Sequence, residues 1–537
     1  VTTAGRATEP VFGPEDDRIE AALDVAAHNA RSPYNVPGFS PVRDELRGVP
    51  LEVVRGRIPA DLEGVYLRNG TNVQFETTHV RLHTFNGAAM LHQVQFVAGV
   101  ATYSNTYVRT PRFDIEQSAG REVYVSFSDL AGGGTAALEK IRLVESKKQR
   151  GIIPNLSPLE STTASTSVQV HAGEIYCLQE TGYPFVLDAA FDGDRLVLDG
   201  TGRLERWGGA LKSAFSAHVR IDPDRGDMYN LGIDRSTGDV HFGVLEDGSL
   251  AHAARVHEQP AGPHGRMAYL HDYFLTEHYL VFPDCSLRGD LARLRDGSMF
   301  FFDTTYNLRW GVLPRRPVEG DRVRWFETAE PGFIWHVANA WETSRDGVDR
   351  IVMYAPMFES YPADIPIHTP AEPHAKFRRW VLDLGSGAVT TEVLIDHGYE
   401  RPSLNLRYVG KPNRYVYLLD EERAGYMGKG VLKYDLESER DAGYFDYGDY
   451  FGGEALFVPR ANARSEDDGY LLELLMADAE AALLVIDAAT MEEVARLRLP
   501  RRVPFGVHSC WIDERRLDEM KWERAARCER RPDGTNA

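Results

Sequence analysis

From about Leu51 onward, apolar and polar residues alternate in short runs separated by Gly, Pro, Asn and Asp. A period of two bounded by turn residues is the pattern of strands that bury one face. Ser167-Val-Gln-Val-His-Ala-Gly-Glu-Ile-Tyr-Cys-Leu178 reads as a hairpin around Ala172-Gly173. Arg379–Leu394 reads as a second, Tyr415–Leu419 with Gly430–Tyr434 as a third, and Leu483–Asp487 with Glu493–Leu497 as a fourth. Gly64-Val-Tyr-Leu-Arg-Asn-Gly70 reads as strand and turn. In Met267–Phe282, two short β-prone runs flank Glu277-His278, which predicts strand, tight turn and strand, with His271 where the first strand begins. Such units over ~450 residues predict an all-β toroid of radially arranged sheets, a propeller across 51–511. No WD dipeptide recurs, so the blades must differ in sequence.

Three stretches break the period of two. Residues 15–30 place Ile19, Leu23 and Ala26 at helical spacing and predict one amphipathic helix, followed by a proline-punctuated loop from Ser32 to Pro41. Together they make an N-terminal helix and arm over 1–50. Residues 136–150 predict a second helix, with Leu138, Ile141 and Val144 on one face, a Lys/Arg cluster, and an apolar exit through Ile152, Ile153 and Leu156. A basic amphipathic helix can lie on a membrane surface, or it can cap the propeller with its charges in water. Residues 512–537, dense in Glu and Arg, predict a polar C-terminal tail that forms a fraying helix.

Composition narrows the partners. The chain has 537 residues, 43% of them apolar, enough for a substantial core, and its 48 Gly and 29 Pro favour many short strands. A net charge of −20 argues against a nucleic-acid partner, whose phosphates demand a basic face. Cys177, Cys285, Cys510 and Cys528 are scattered and form no CxxC, so a disulfide framework is not expected and a reducing compartment, cytoplasm or plastid, is the simpler setting. No apolar run approaches the ~18 residues that cross a bilayer. The first residues carry no signal-peptide core, and the start at Val1 leaves room for an upstream targeting segment.

Candidate chemistry sits on four of the 17 histidines. Ser216-Ala-His218, His271 in the hairpin, Trp335-His336-Val-Ala-Asn-Ala-Trp-Glu342 and Val503-Pro-Phe-Gly-Val-His508 each place one histidine among small or aromatic residues near a strand end. The spacing fits no local zinc motif. It suits a propeller axis, where each inner strand can deliver one side chain to a four-imidazole metal centre. No Ser-His-Asp or paired-carboxylate motif competes with this reading.

These motifs, with Gly64–Gly70 and Phe85-Asn-Gly-Ala-Ala-Met-Leu-His92, resemble the carotenoid cleavage oxygenase family of carotenoid dioxygenases, stilbene-cleaving enzymes and the vertebrate retinoid isomerase. The resemblance runs from about Phe39 to Trp511, and Arg502–His508 is similar to the closing motif of the plant and cyanobacterial branch. It implies a seven-bladed β-propeller with a helical and loop-built dome over one face. It implies Fe(2+) held by His218, His271, His336 and His508, with O2 as co-substrate. It also implies Glu180, Glu400 and Glu454 as carboxylates behind the imidazoles, and Thr166 with its methyl crowding an open metal position. The implied reaction is oxidative cleavage of a conjugated double bond in a carotenoid or apocarotenoid, giving two carbonyl products. The alternatives are a stilbene substrate, retinoid isomerisation, or a non-catalytic propeller scaffold. A polyene drawn from lipid would give the helix at 136–150 a peripheral membrane role. Asn86-Gly-Ala-Ala89, Thr71 and Ser509 depart from the family's common residues, and they bear on the dome and the substrate.

Overall fold

The computed structural model describes residues 10–234, 239–256, 267–318, 321–362, 374–422 and 427–529. Among these, seven antiparallel sheets of four or five strands form the blades of a propeller, and a smaller sheet of three strands joins Met267–Ala268, Leu287–Gly289 and Phe300–Phe302. Blade 1 is built on Gly64–Asn72, Ala88–Val97 and Val100–Tyr107, and blade 2 spans 167–204. Blades 3 to 7 follow over 220–256, 274–327, 339–395, 399–446 and 456–498. The hairpins at Ala172-Gly173, 379–394, 415–434 and 483–497 are all present.

Both ends of the chain close the ring. Ser509–Asp513 pairs with Gly64–Arg68 as the innermost strand of blade 1. Glu52–Gly56 pairs with Ala495–Arg498 as the outermost strand of blade 7. Val49–Pro50 already pairs with Thr102–Tyr103, so the sheet structure begins before Leu51 and ends after Trp511. Closure removes open sheet edges at the seam, which is how a β-toroid avoids self-association. Between blades the core is aromatic and aliphatic: Trp310 of blade 4 and Trp380 of blade 5, neither exposed, meet edge to face with centroids 5.3 Å apart.

Three expectations change. Gly64–Asn72 is one continuous strand, buried at every residue but Thr71, with a neighbour on each side. Gly70 is no turn residue: a Cβ there would lie 2.6 Å from the Gly506 Cα, so the glycine permits a close backbone crossing. Residues 15–30 form two helices, Pro14–Ala22 and Val25–Arg31, broken at Asp24 with φ 48°. The break redirects the chain so that Asn29 bonds the Val80 carbonyl and the Leu82 N–H, while His28 Nε2 meets the Leu82 carbonyl. His271 precedes the strand Phe274–Leu275 by three residues in extended chain instead of opening a strand.

The second predicted helix is present at Gly134–Gln149, packed against the rest of the chain. Leu143 and Val144 are buried, and Leu138 and Ile141 pack on the core that joins blades 4 and 5. Ile153 is buried with Val144, and Ile152 and Leu156 pack beside them. Its three lysines are paired: Lys140 with Asp129 at 2.6 Å and Glu122 at 3.3 Å, Lys147 with Asp16, and Lys148 with Glu145 at 2.7 Å. The apolar residues of the helix are thus shared among the propeller core, the N-terminal helices through Ile19, Leu23 and Val25, and the segment that carries Val123, Tyr124 and Ile153. Among the described residues no helix is long and apolar enough to cross a membrane.

At the C-terminus, Glu514–Glu529 is helical, and Leu517 and Met520 are buried against blades 1 and 2, so this segment is docked over its first turns. Cys177, Cys285 and Cys510 are buried, unbridged thiols; the side chain of Cys528 lies outside the described residues.

The packing of the 134–149 helix predicts an asymmetric response to charge. Val144→Asp strands a carboxylate in the core and should cost about 3–5 kcal/mol. Exposed Arg142→Asp should stay within about 0.5 kcal/mol of the parent. Calorimetry of the two variants checks this; equal melting would mean that the helix is not packed through Val144.

Candidate metal centre

One position recurs in all seven blades: the entrance of the innermost strand. It holds Thr166 before Ser167–His171, His218 before Arg220–Ile221 and His271 before Phe274–Leu275. It holds His336 before Asn339–Arg345, Glu400 inside Tyr399–Ser403, Glu454 before Leu456–Pro459 and His508 before Ser509–Asp513. Radial strands start at the axis, so these side chains meet although they span more than 300 residues of sequence. Glu180 follows the second strand of blade 2, Glu174–Leu178.

The four imidazoles are buried, and their candidate ligand nitrogens all lie within 4.8 Å of one another. Ring centroids of His218 stand 4.5, 5.1 and 4.4 Å from those of His271, His336 and His508. His218 Nε2 and His271 Nε2 face each other at 2.9 Å. Two nitrogens bonded at about 2.1 Å to one ion, at a right angle, would stand about 3 Å apart. His336 Nε2 is buried and has no hydrogen-bond partner among the described residues. Burial, reinforced by the neighbouring imidazoles, pushes His218 and His336 well below the ordinary imidazole value, so both present neutral nitrogen. Buried lone pairs aimed at one point, without enough protons to join them, fit a cation.

Behind three imidazoles stands a carboxylate. His271 Nδ1 lies 3.0 Å from Glu180 Oε1, His336 Nδ1 2.5 Å from Glu400 Oε2, and His508 Nδ1 3.0 Å from Glu454 Oε2. An ionised carboxylate only accepts, so each Nδ1 carries the proton and each Nε2 is left as the donor atom toward the centre. Glu400 also accepts from the Arg401 N–H. Burial, with Glu421 nearby, pushes the Glu400 carboxyl up, and a cation held by His336 would oppose that push.

Residues 39–513 match the family described as retinal pigment epithelial membrane protein. The chain belongs to that family, the carotenoid cleavage oxygenases. The carotenoid 9,10(9',10')-cleavage dioxygenase 1 of Arabidopsis thaliana is 30% identical to it, over 94% of each chain. A carotenoid cleavage oxygenase of Mycobacterium tuberculosis is 29% identical, over 90% of this chain and 98% of its own. The crystal structure of Pseudomonas brassicacearum lignostilbene dioxygenase superposes with a TM-score of 0.74 at 25% identity, covering 90% of this chain and 99% of that one.

In this member of the carotenoid cleavage oxygenases, a pocket opens beside the imidazoles with His271, Glu180 and Thr166 on its wall. Phe85, Phe127, Phe505 and Val507 supply apolar wall; Thr71, Ser165, Gln179, Thr181 and Tyr269 supply polar wall. Phe127, on the helix Phe127–Leu130, stacks on Phe300 of the three-stranded sheet at 5.5 Å, so the dome roofs the pocket. Trp335 stands edge-on to His271 at 4.7 Å and donates to the Tyr361 hydroxyl at 2.9 Å. Sequence reasoning named none of these residues as wall. Two signals were available: Tyr269 lies two residues before His271, and Phe505 and Val507 sit within the closing histidine motif.

If Glu180 fixes His271, Glu180→Ala should lower metal affinity about 10–100-fold. Competition with a chromophoric chelator measures this, and an affinity equal to the parent's would remove Glu180 from that role.

Proposed function

We propose that this protein is a non-haem iron(II) dioxygenase that cleaves a conjugated double bond of a carotenoid or apocarotenoid into two carbonyl products. The observation that carries the reading is the convergence of His218, His271, His336 and His508 on one point, each from its own blade. Imidazole suits iron, and four neutral ligands leave the full divalent charge on the ion. Bound there, ferrous iron supplies the activation of dioxygen. The balance is closed: one alkene and one O2 give two carbonyls, the alkene supplies the electrons, and no reductant is required.

What the chain's own residues contribute is position. The pocket walls Phe85, Phe127 and Phe505 hold a flat conjugated chain by apolar contact and keep bulk water from the reacting bond. Thr166, half-buried on the pocket wall, is assigned the part of narrowing the approach to one metal position. Glu180, Glu400 and Glu454 hold the Nδ1 protons of His271, His336 and His508 and thereby fix their tautomers.

A stilbene is the second substrate reading. The polar wall formed by Thr71, Ser165, Gln179, Thr181 and Tyr269 favours it, since those groups could meet a phenolic hydroxyl. Peripheral contact with a membrane surface, from which a polyene would be drawn, belongs to the same reading, and liposome flotation tests it: protein that stays out of the floated fraction would remove it.

The expected result of aerobic incubation with carotenoids, apocarotenoids and stilbenes is consumption of one O2 per double bond cleaved. Mass analysis under 18O2 should find label in both carbonyl products. Turnover of a retinoid without oxygen uptake would replace the proposal with isomerisation, and purified protein without stoichiometric metal would replace it with a scaffold.

A further inference from the structure

The three carboxylates behind the imidazoles are not anchored alike. Glu180 receives the Tyr269 hydroxyl at 3.4 Å, and Glu400 receives the Arg401 N–H. Glu454 makes one side-chain hydrogen bond among the described residues, to His508 itself. A carboxylate that bonds only the ring it orients is placed by its backbone. That backbone is the turn Gly452-Gly453-Glu454, and a buried glutamate of the neighbouring strand clamps it. Glu473 Oε1 accepts the Gly453 N–H at 2.6 Å.

Glu473 is well suited to act as a fixed point. It lies in Gly469–Met476, buried at every residue and paired on both sides within blade 7, with Leu456–Pro459 and Ala481–Asp487. On the N-terminal side of Gly453, the chain is held by the backbone bridges Phe451–Met476 and Gly428–Gly452. Its two glycines allow the approach. A Cβ on Gly452 would come within 2.5 Å of the Tyr447 ring and 3.2 Å of the Glu473 carboxyl carbon; one on Gly453 would come within 3.2 Å of the Gly506 carbonyl.

The arrangement is costly. Glu473 is 1% exposed, and its second oxygen has no hydrogen-bond partner among the described residues. Burial pushes its carboxyl up to about 8, against the pull of Arg68 and Arg401. A buried, half-satisfied carboxyl costs stability unless it does something an apolar residue cannot. Leucine would fill the space without holding the Gly453 amide.

We propose that Glu473 is a positioning residue of the metal centre: by accepting the Gly453 N–H it fixes the turn that carries Glu454, and through Glu454 it sets the rotation of the His508 imidazole. The inference rests on the four imidazoles holding a metal ion, and is independent of the substrate.

Cobalt(II) binding to the full-length protein tests it, because the visible ligand-field spectrum reports ligand geometry without turnover. Glu473→Gln keeps an amide oxygen for the Gly453 N–H and should bind cobalt within about 3-fold of the parent, with the parent's spectrum. Glu473→Leu should bind about 10–100-fold more weakly, with shifted bands, and Glu454→Gln added to it should cost little more. Folded Glu473→Leu with the parent's affinity and spectrum, or equal losses in Gln and Leu variants, would overturn the proposal. Should Glu473→Leu not fold, hydrogen exchange of the parent decides: coupling is reciprocal, so loading cobalt must slow exchange of the Gly453 amide, and an unchanged rate overturns it. A parent that binds no cobalt would instead undo the metal-centre reading itself.

Discussion

Neutral imidazoles do not gather on one another's account. His218 and His271 present Nε2 to Nε2, His336 ends in a buried nitrogen without a partner, and the Nδ1 protons of three rings are committed to Glu180, Glu400 and Glu454. Without a cation, a proton on His218 Nε2 can join only one neighbouring nitrogen, and the remaining lone pairs are desolvated without compensation. The propeller holds them there because every ring is attached at the entrance of an inner strand, whose place is fixed by blade packing well away from the axis.

Ring closure is part of the same constraint. His508 immediately precedes the last strand, Ser509–Asp513, which joins blade 1 by pairing with Gly64–Arg68. Gly70 and Gly506 cross there at a distance that no side chain could tolerate. The fourth ligand position is thus completed only when the two ends of the fold are joined, so the centre and the closed ring form together.

The dome determines what the centre meets. Phe127 lines the pocket and stacks on Phe300 behind it, and the 134–149 helix is held by buried Leu143 and Val144 and by its lysine pairs. Its amphipathic pattern reads the same whether the partner is lipid or protein, because both accept an apolar stripe. Paired lysines and the buried Leu143 and Val144 show what this stripe meets within the chain, and both are facts of tertiary packing.

The sequence by itself determined the strand period, the hairpins, the helix near 136–150 and the four histidine motifs, since each is written in neighbouring residues. Through the family resemblance it also pointed to Glu180, Glu400, Glu454 and Thr166, which the structure brings to the same axis. Only the tertiary structure decided that residues 15–30 break at Asp24, that Gly70 serves a crossing and not a turn, which aromatics line the pocket, and that Glu473 backs the Glu454 turn. Local pattern reports how a residue meets its neighbours along the chain. These features depend on contacts between strands far apart in sequence, for which a single chain carries no periodic signal.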